Sequence, residues 1–185
     1  ARTEAEAIRM GSLVEDLLTL ARADQDRPLD VAPVDLSELA ADAAADARAV
    51  DPDRPIDTAL AGPLQVAGDQ ARLRQVAANL LTNALVHTPP GTPVRVATSR
   101  DGDTAVLTIS DDGPGMTPET AARAFERFYR ADPSRSRHSG GSGLGLSIVE
   151  SMAKAHHGTV ALDSGPGHGT TVTVRLPLSG PLSPE

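Results

Sequence analysis

The chain has 185 residues, 39% of them hydrophobic, with no cysteine, no tryptophan and a formal charge of −8. A chain of this length buries a core without covalent staples, and the missing cysteines exclude disulfide frameworks, thiolate metal sites and cysteine nucleophiles. The acidic balance argues against general affinity for nucleic acid or an anionic membrane, and no run of residues is apolar enough to span a bilayer.

Residues 1–23 predict a helix, because Met10, Leu13, Leu17 and Leu20 step by three, four and three while Ile8, Val14, Leu18 and Ala21 broaden the seam. A coiled-coil partner helix and an ordinary amphipathic helix are both open at this point. Ala1 stands inside the pattern without a cap, which suggests that the helix continues upstream. Residues 24–34, with Pro28 and Pro33 among charges, read as a linker. Asp35 followed by Glu38 is a capping-box-like start for a helix with the apolar stripe Leu36, Leu39, Ala43 and Ala47, ended by Pro52 and Pro55. Short strands are expected around Ile56 and Val66, and Asp69 caps a helix to about Val86, stopped by Pro89 and Pro90. Val94 and Val96 open a strand, Asp101-Gly102 marks a hairpin turn, and Ala105 to Ile109 form the return strand.

Thr117-Pro118-Glu119 is a helix start with proline at the first helical position, and that helix is expected to end in the aromatics. Ala131 to Gly141 reads as a mobile polar loop, and Gly145 to His157 as a helix with Gly158 as its terminal glycine. Thr159 to Leu162, a turn over Gly165 to Gly169, and Thr170 to Leu176 complete a final hairpin before a Pro/Ser tail. The pattern predicts an α+β sandwich: one mixed sheet covered on one face by helices, with a further helix in front.

Charge is unevenly spread. Residues 1–60 carry 14 acidic and 6 basic side chains, whereas residues 61–185 carry 11 of each. Arg123, Arg127, Arg130, Arg135 and Arg137 fall within fifteen residues, either a solvated basic face or a patch that receives an anion.

Four segments carry candidate chemistry. Gln75, Asn79, Asn83 and His87 recur every four residues on a helix whose other positions are core. This stripe is either a solvent face or a set of carboxamides that helps hold Mg²⁺, a hard cation that shares the oxygens of a polyphosphate. Asp111-Asp112-Gly113-Pro114-Gly115 follows a strand, where a carboxylate can accept a hydrogen bond from an exocyclic amine and glycines let backbone approach a planar ligand. Phe125, Phe128 and Tyr129 are all the aromatics of the chain, gathered beside the arginines. Gly141-Ser142-Gly143-Leu144-Gly145 feeds a helix N-terminus, whose N–H groups and dipole form an anion site. It is neither a dinucleotide fingerprint nor a P-loop: it does not follow a strand, and Lys154, the one lysine, lies well inside the next helix.

In this order and spacing the four segments resemble the nucleotide-binding domain of sensor histidine kinases, a Bergerat-fold ATPase module shared with type II topoisomerases, mismatch-repair ATPases and heat-shock chaperones. The matching blocks are DQARLRQVAANLLTNALVHT over Asp69 to Thr88, DDGPG over Asp111 to Gly115, FERFYR over Phe125 to Arg130, and Gly141 to Leu146. The resemblance implies that Asn83 and Asn79 hold Mg²⁺, that Asp111 receives the adenine amino group, and that Gly113 and Gly115 shape the adenine pocket. It further implies that Arg130, Arg135 and His87 lie at the nucleotide, that Gly141, Gly143, Leu144 and Gly145 bring backbone to the phosphates, and that Thr170 supports the base. It divides the chain into the second half of a dimerisation and phosphoacceptor hairpin with its linker (1–27), an ATP-binding catalytic domain (28–178) and a disordered tail (179–185).

By the same resemblance the chain would present the γ-phosphate of MgATP to an acceptor histidine that it does not itself contain, with that hairpin, a cognate response regulator and a second kinase subunit as partners. It would be the cytoplasmic portion of a membrane-anchored bacterial kinase that itself touches neither membrane nor nucleic acid. None of the chain's own histidines has the acceptor context, so autophosphorylation of this chain is not expected. Val86 and His87 depart from a lysine-tyrosine pair common in relatives, and Asp112 stands where asparagine is common. An ATP-hydrolysing clamp and a serine-kinase regulator of the same superfamily are the alternatives. Hydrolases of this fold place a glutamate four residues before the metal-binding asparagine, where this chain has Asn79.

Overall fold

The computed structural model describes residues 28–130 and 143–179. The helix expected over 1–23, the loop with Arg135 and Gly141, and tail residues 180–185 lie outside the described residues. Five strands, β2 (Ile56–Ala59), β4 (Val94–Asp101), β5 (Thr104–Asp111), β6 (Thr159–Ser164) and β7 (Thr170–Pro177), form a sheet in the order β2-β4-β5-β7-β6. Only β2 and β4 run parallel; the other pairs are antiparallel, so the sheet is mixed. Helices α1 (Leu36–Val50), α2 (Gln70–Val86) and α4 (Gly145–Ala155) supply its cover, and a short α3 (Pro118–Ala122) stands beside β6.

Alternation along the strands decides which face is covered. Val94 and Val96 of β4, Ala105, Leu107 and Ile109 of β5, and Val172, Val174 and Leu176 of β7 are buried on the helical side. They meet Leu73, Val76, Leu80 and Leu81 of α2 and Ile148, Val149 and Met152 of α4 in one core. That core holds no aromatic side chain among the described residues. On the opposite face stand short or polar residues such as Arg95, Ala97, Thr108, Thr173 and Arg175. No described helix is long and apolar enough to cross a membrane.

The caps form as the sequence predicts. The Asp35 carboxylate accepts from the Ser37 and Glu38 N–H groups at 2.9 and 3.4 Å, and from Leu64 N–H at 3.2 Å. It therefore starts α1 and ties that helix to the loop before β3 (Gln65–Gly68). Asp69 caps α2 through Arg72 N–H at 3.1 Å. Several expectations are corrected. The linker reading of 24–34 fails at its end, where β1 (Ala32–Asp35) pairs antiparallel with β3 in a second, two-stranded sheet. The strand around Val66 thus belongs to that small sheet rather than to the main one. Helix α3 ends at Ala122, before the aromatics, and α4 ends at Ala155. The left-handed residue after α4 is His157, at φ 57°, and Gly158 follows it because the β7 backbone leaves no room there for a side chain. Ser179 N–H donates to Gln65 O at 2.8 Å.

His156, almost fully buried, joins the end of α4 to the start of α2. Its Nδ1 is 2.7 Å from Met152 O and its Nε2 accepts from Asp69 N–H at 3.0 Å, which fixes the tautomer with the proton on Nδ1. The N-terminus of α2 is thereby anchored by a side chain 87 residues downstream.

Candidate functional site

Helix α2 packs between α1 and α4, and the residues left between its two buried flanks are the amides. Gln75, Asn79 and Asn83 are half-buried and His87 follows as the helix cap. The Asn83 amide lies against the first residue of α4: a Cβ on Gly145 would sit 3.4 Å from Asn83 Oδ1. One turn earlier, Asn79 Nδ2 is buried without a hydrogen-bond partner. The amide nitrogen in that state has donor capacity that the fold does not use.

The start of α4 faces the same amides. Leu144 is its cap, wholly buried, with no side chain capping the first N–H groups. Those groups and the helix dipole favour an anion there. Gly143, at φ 73°, turns the chain into this helix, and its carbonyl accepts from Phe128 N–H at 3.0 Å. Phe128 itself adopts φ 63°, a left-handed conformation that costs a non-glycine residue about 1–2 kcal/mol. A backbone hydrogen bond thus ties Phe128 to Gly143, while the Phe128 ring is exposed. Arg123 stacks over the Tyr129 ring at 4.1 Å and pairs with Glu126 at 2.8 Å.

The other end of the site is built where β5 stops. Asp111, its last residue, accepts from Gly113 N–H at 2.9 Å. Burial pushes its carboxyl above the usual carboxylate range; hydrogen bonds from the Gly113 and Thr170 backbone oppose this, Asp112 adds to it, and Arg54 opposes it. Gly115, at φ 66°, packs its α-carbon against the carbonyls of Gly165 and Gly169, a fit closed to any side chain. Ser164 seals the junction: its hydroxyl accepts from Met116 N–H at 2.9 Å and donates to Gly169 O at 2.7 Å. It also lies 3.0 Å from the Thr170 hydroxyl.

His87 connects the two ends electrostatically. Burial lowers its imidazole pKa, the Arg130 guanidinium lowers it further, and Asp111 raises it. Asn79, Asn83, His87, Asp111, Gly113, Gly115, Arg130, Gly143, Leu144, Gly145 and Thr170 thus frame one region, while Arg135 and Gly141 fall outside the described residues. Sequence reasoning missed Thr88, Ser164, Gly165 and Gly169, which wall the Asp111 turn. The available signal was the Gly165-Pro166-Gly167-His168-Gly169 run, which reads as a simple hairpin turn until its carbonyls are seen against Gly115.

A family model described as histidine kinase-, DNA gyrase B-, and HSP90-like ATPase matches residues 68–180. The probable sensor histidine kinase TcrY of Mycobacterium tuberculosis is 49% identical over 97% of this chain. The ATP binding domain of PrrB from Mycobacterium tuberculosis superposes with a TM-score of 0.67 at 28% identity, over 82% of this chain and 99% of that one. Full-length ShkA in complex with AMPPNP gives a TM-score of 0.79 at 29% identity, over 100% of this chain and 40% of ShkA. This chain spans 38% of the length of TcrY, well under half of such a relative.

Proposed function

The chain belongs to the histidine kinase-, DNA gyrase B- and HSP90-like ATPase family, as an ATP-binding catalytic domain of the sensor histidine kinase type, and from that premise we propose that it holds MgATP along the amide face of α2 for transfer of the γ-phosphate to a histidine on a helical hairpin. The observation that carries this reading is that one helix serves both ends of the site. Asn83 lies against the start of α4, and Thr88, just past the helix end, lies against the Asp111–Gly113 turn.

In this reading Asp111 accepts from the adenine amine, Gly113 and Gly115 shape the pocket floor, and Thr170 holds the Asp111 carboxylate in place through its backbone N–H. The phosphates lie at the N–H groups that follow Gly143 and Leu144, with Gly141 and Arg135 on the loop between the described segments, and His87 and Arg130 beside them. Among the described residues there is no cluster of three His, Cys, Asp or Glu side chains to cage a metal. A cation on this face would take its protein oxygens from the Asn83 and Asn79 carboxamides, shared with a polyphosphate, while the unpartnered Asn79 NH₂ is a donor suited to a phosphate oxygen. When bound, Mg²⁺ neutralises phosphate charge. The chain's own residues orient the nucleotide, keep its adenine end out of water and leave the γ-phosphate for a nucleophile.

Asn79 also bears on the choice between transfer and hydrolysis. An amide cannot take a proton from water, and a positioned general base is worth roughly 10² to 10⁴ in rate, so ATP held here is hydrolysed slowly. Residues 1–27 would be the second helix of the acceptor hairpin with its linker, residues 28–178 the catalytic domain and 179–185 a tail. The acceptor hairpin, a response regulator and a second subunit would be the partners, in the cytoplasmic part of a membrane-anchored kinase. Incubation with γ-labelled ATP, alone and with a separately expressed acceptor hairpin from the parent protein, tests this. Acid-labile label confined to the hairpin is expected, whereas label on this chain alone, or rapid phosphate release, would refute it.

A further inference from the structure

We propose that Arg54 is a positioning residue of the nucleotide site, fixing the end of α2 and, through Thr88, the wall on which the Asp111–Gly113 turn rests. The proposal deepens the nucleotide reading above and rests on it. Arg54 lies in the loop between α1 and β2, and its side chain is only 3% exposed. Its Nη2 donates to Leu85 O at 3.0 Å, and its Nη1 reaches Thr88 Oγ1, Pro89 O and Thr92 O at 3.0, 2.7 and 3.2 Å. Its Nε donates to Asp51 Oδ2 at 3.1 Å, the carboxylate that balances its charge.

Every acceptor except Asp51 belongs to the last turn of α2 or to the segment that follows it. Helix α2 has no basic residue in its last turn. Its terminal carbonyls nevertheless need donors, and its dipole favours a cation there. Arg54, 31 residues before Leu85, supplies both from outside the helix. The planar fork suits this task, because a single ammonium cannot meet four acceptors spread over Leu85 to Thr92.

Thr88 passes the constraint to the ligand side. Its hydroxyl donates to Ala84 O at 2.6 Å and accepts from Arg54, which fixes the rotamer. The Thr88 methyl then stands against Gly113, where an added Cβ would lie 2.5 Å from it. Gly113 in turn donates to Asp111. The same guanidinium works on Asp111 by charge, favouring the ionised carboxylate against the burial that disfavours it. The other groups that bear on Asp111 are Asp112, which opposes its ionisation, and His87, with Arg130 close to that imidazole.

The test uses the whole chain and measures the affinity of a fluorescent ATP analogue with Mg²⁺ between pH 3.5 and 8 for wild type, R54M, R54K and T88V. R54M is expected to bind at least tenfold more weakly, with the acidic limb of its binding profile displaced to higher pH relative to wild type. R54K is expected to restore the position of that limb but not the full affinity, since it returns charge without the fork. T88V, which keeps the shape and loses the hydroxyl, is expected to weaken binding without moving the limb. The titrations of phosphate and His87 are common to all four proteins and cancel in the comparison. Wild-type affinity in both R54M and T88V would overturn the proposal, and so would weaker binding of R54M with an unmoved limb, the mark of a merely structural arginine. If R54M does not fold, R54K and T88V decide, and wild-type affinity in both would overturn it. Failure of the wild-type chain to bind the analogue at all would instead remove the nucleotide reading itself.

Discussion

Replacing Asp111 with asparagine separates recognition from stability. The amide keeps the size of the carboxylate, and its oxygen can still accept from Gly113 N–H, now 2.9 Å away. Its NH₂ then points where the adenine amine is expected to donate, so that two donors face each other. Loss of a hydrogen bond to a charged acceptor costs about 1.5–3 kcal/mol, equivalent to roughly ten- to 150-fold in affinity. Guanine presents a carbonyl oxygen at that edge, so D111N is expected to narrow or invert the preference for ATP over GTP.

Stability moves the other way. Burial holds the Asp111 carboxyl above its ordinary value of 3.8. Between the ordinary and the raised value the native state binds more protons than the unfolded one, so stability is lost as pH rises through that window. Asparagine resembles the protonated acid, so the nucleotide-free D111N domain is expected to be no less stable than wild type at pH 7 and to lose this part of the pH dependence. Displacement of a fluorescent ATP analogue by ATP and by GTP, with thermal unfolding from pH 3.5 to 7, reads both quantities. ATP affinity within threefold of wild type, with unchanged discrimination, would remove Asp111 from adenine recognition.

Four other substitutions probe separate links. Asn83→Ala is expected to weaken MgATP binding while the unfolding midpoint without ligand shifts little, and a large loss of midpoint would make Asn83 structural. Gly145→Ala places a methyl in ordinary contact with the Asn83 amide, at a first helical position that tolerates alanine. Calorimetry is expected to find unchanged or slightly higher stability and about tenfold weaker nucleotide binding, or ~1.4 kcal/mol. His156→Leu strips the partner from Asp69 N–H and is expected to destabilise the domain by about 1–3 kcal/mol, measured by urea unfolding. His87 has its imidazole pKa lowered, chiefly by burial, so stability is expected to fall as pH drops below the ordinary value of about 6.5. The unfolded chain binds the extra proton in that range, and His87→Gln should flatten the slope in a melting series from pH 5 to 7.

What the sequence disclosed and what it hid follow from the reach of the signals. Helices α1 and α2 were legible because Asp35 and Asp69 cap them and because Leu36, Leu39, Leu73, Val76 and Leu80 repeat at helical spacing, all within one segment of chain. The β4–β5 hairpin was legible for the same reason, its turn lying between adjacent strands. Strand β1 was hidden because Pro33 and two flanking charges suggest a linker, and its pairing with β3, some thirty residues on, leaves no local pattern. Likewise Asp111 and the glycine loops stood out as local motifs. Arg54, Thr88, Ser164 and His156, which hold those motifs in place, are single polar residues whose partners are distant in sequence. Nothing about an isolated arginine in Asp51-Pro52-Asp53-Arg54 distinguishes a buried clamp from a solvated charge.

The way α2 is anchored accounts for the character of the site. In the proposed reading Asn79 and Asn83 can serve a ligand only if the helix is held in register by groups that do not occupy the same face. His156 does this at the N-terminus through Asp69, and Arg54 at the C-terminus through Leu85 and Thr88. The helix starts on its own Asp69 carboxylate but has no basic residue in its last turn, so the C-terminal end of its dipole is met by Arg54 rather than by its own surface. A cation on the last turn of α2 could serve either the helix carbonyls or a nucleotide phosphate. With Arg54 behind Thr88 already meeting the carbonyls, the positions that face the ligand are left to amides and an imidazole. In the proposed reading such a face would gain a polyphosphate's attraction from Arg130 and the N–H groups of α4, while the adenine end would rest on the Asp111 carboxylate and on the shape given by Gly113 and Thr88.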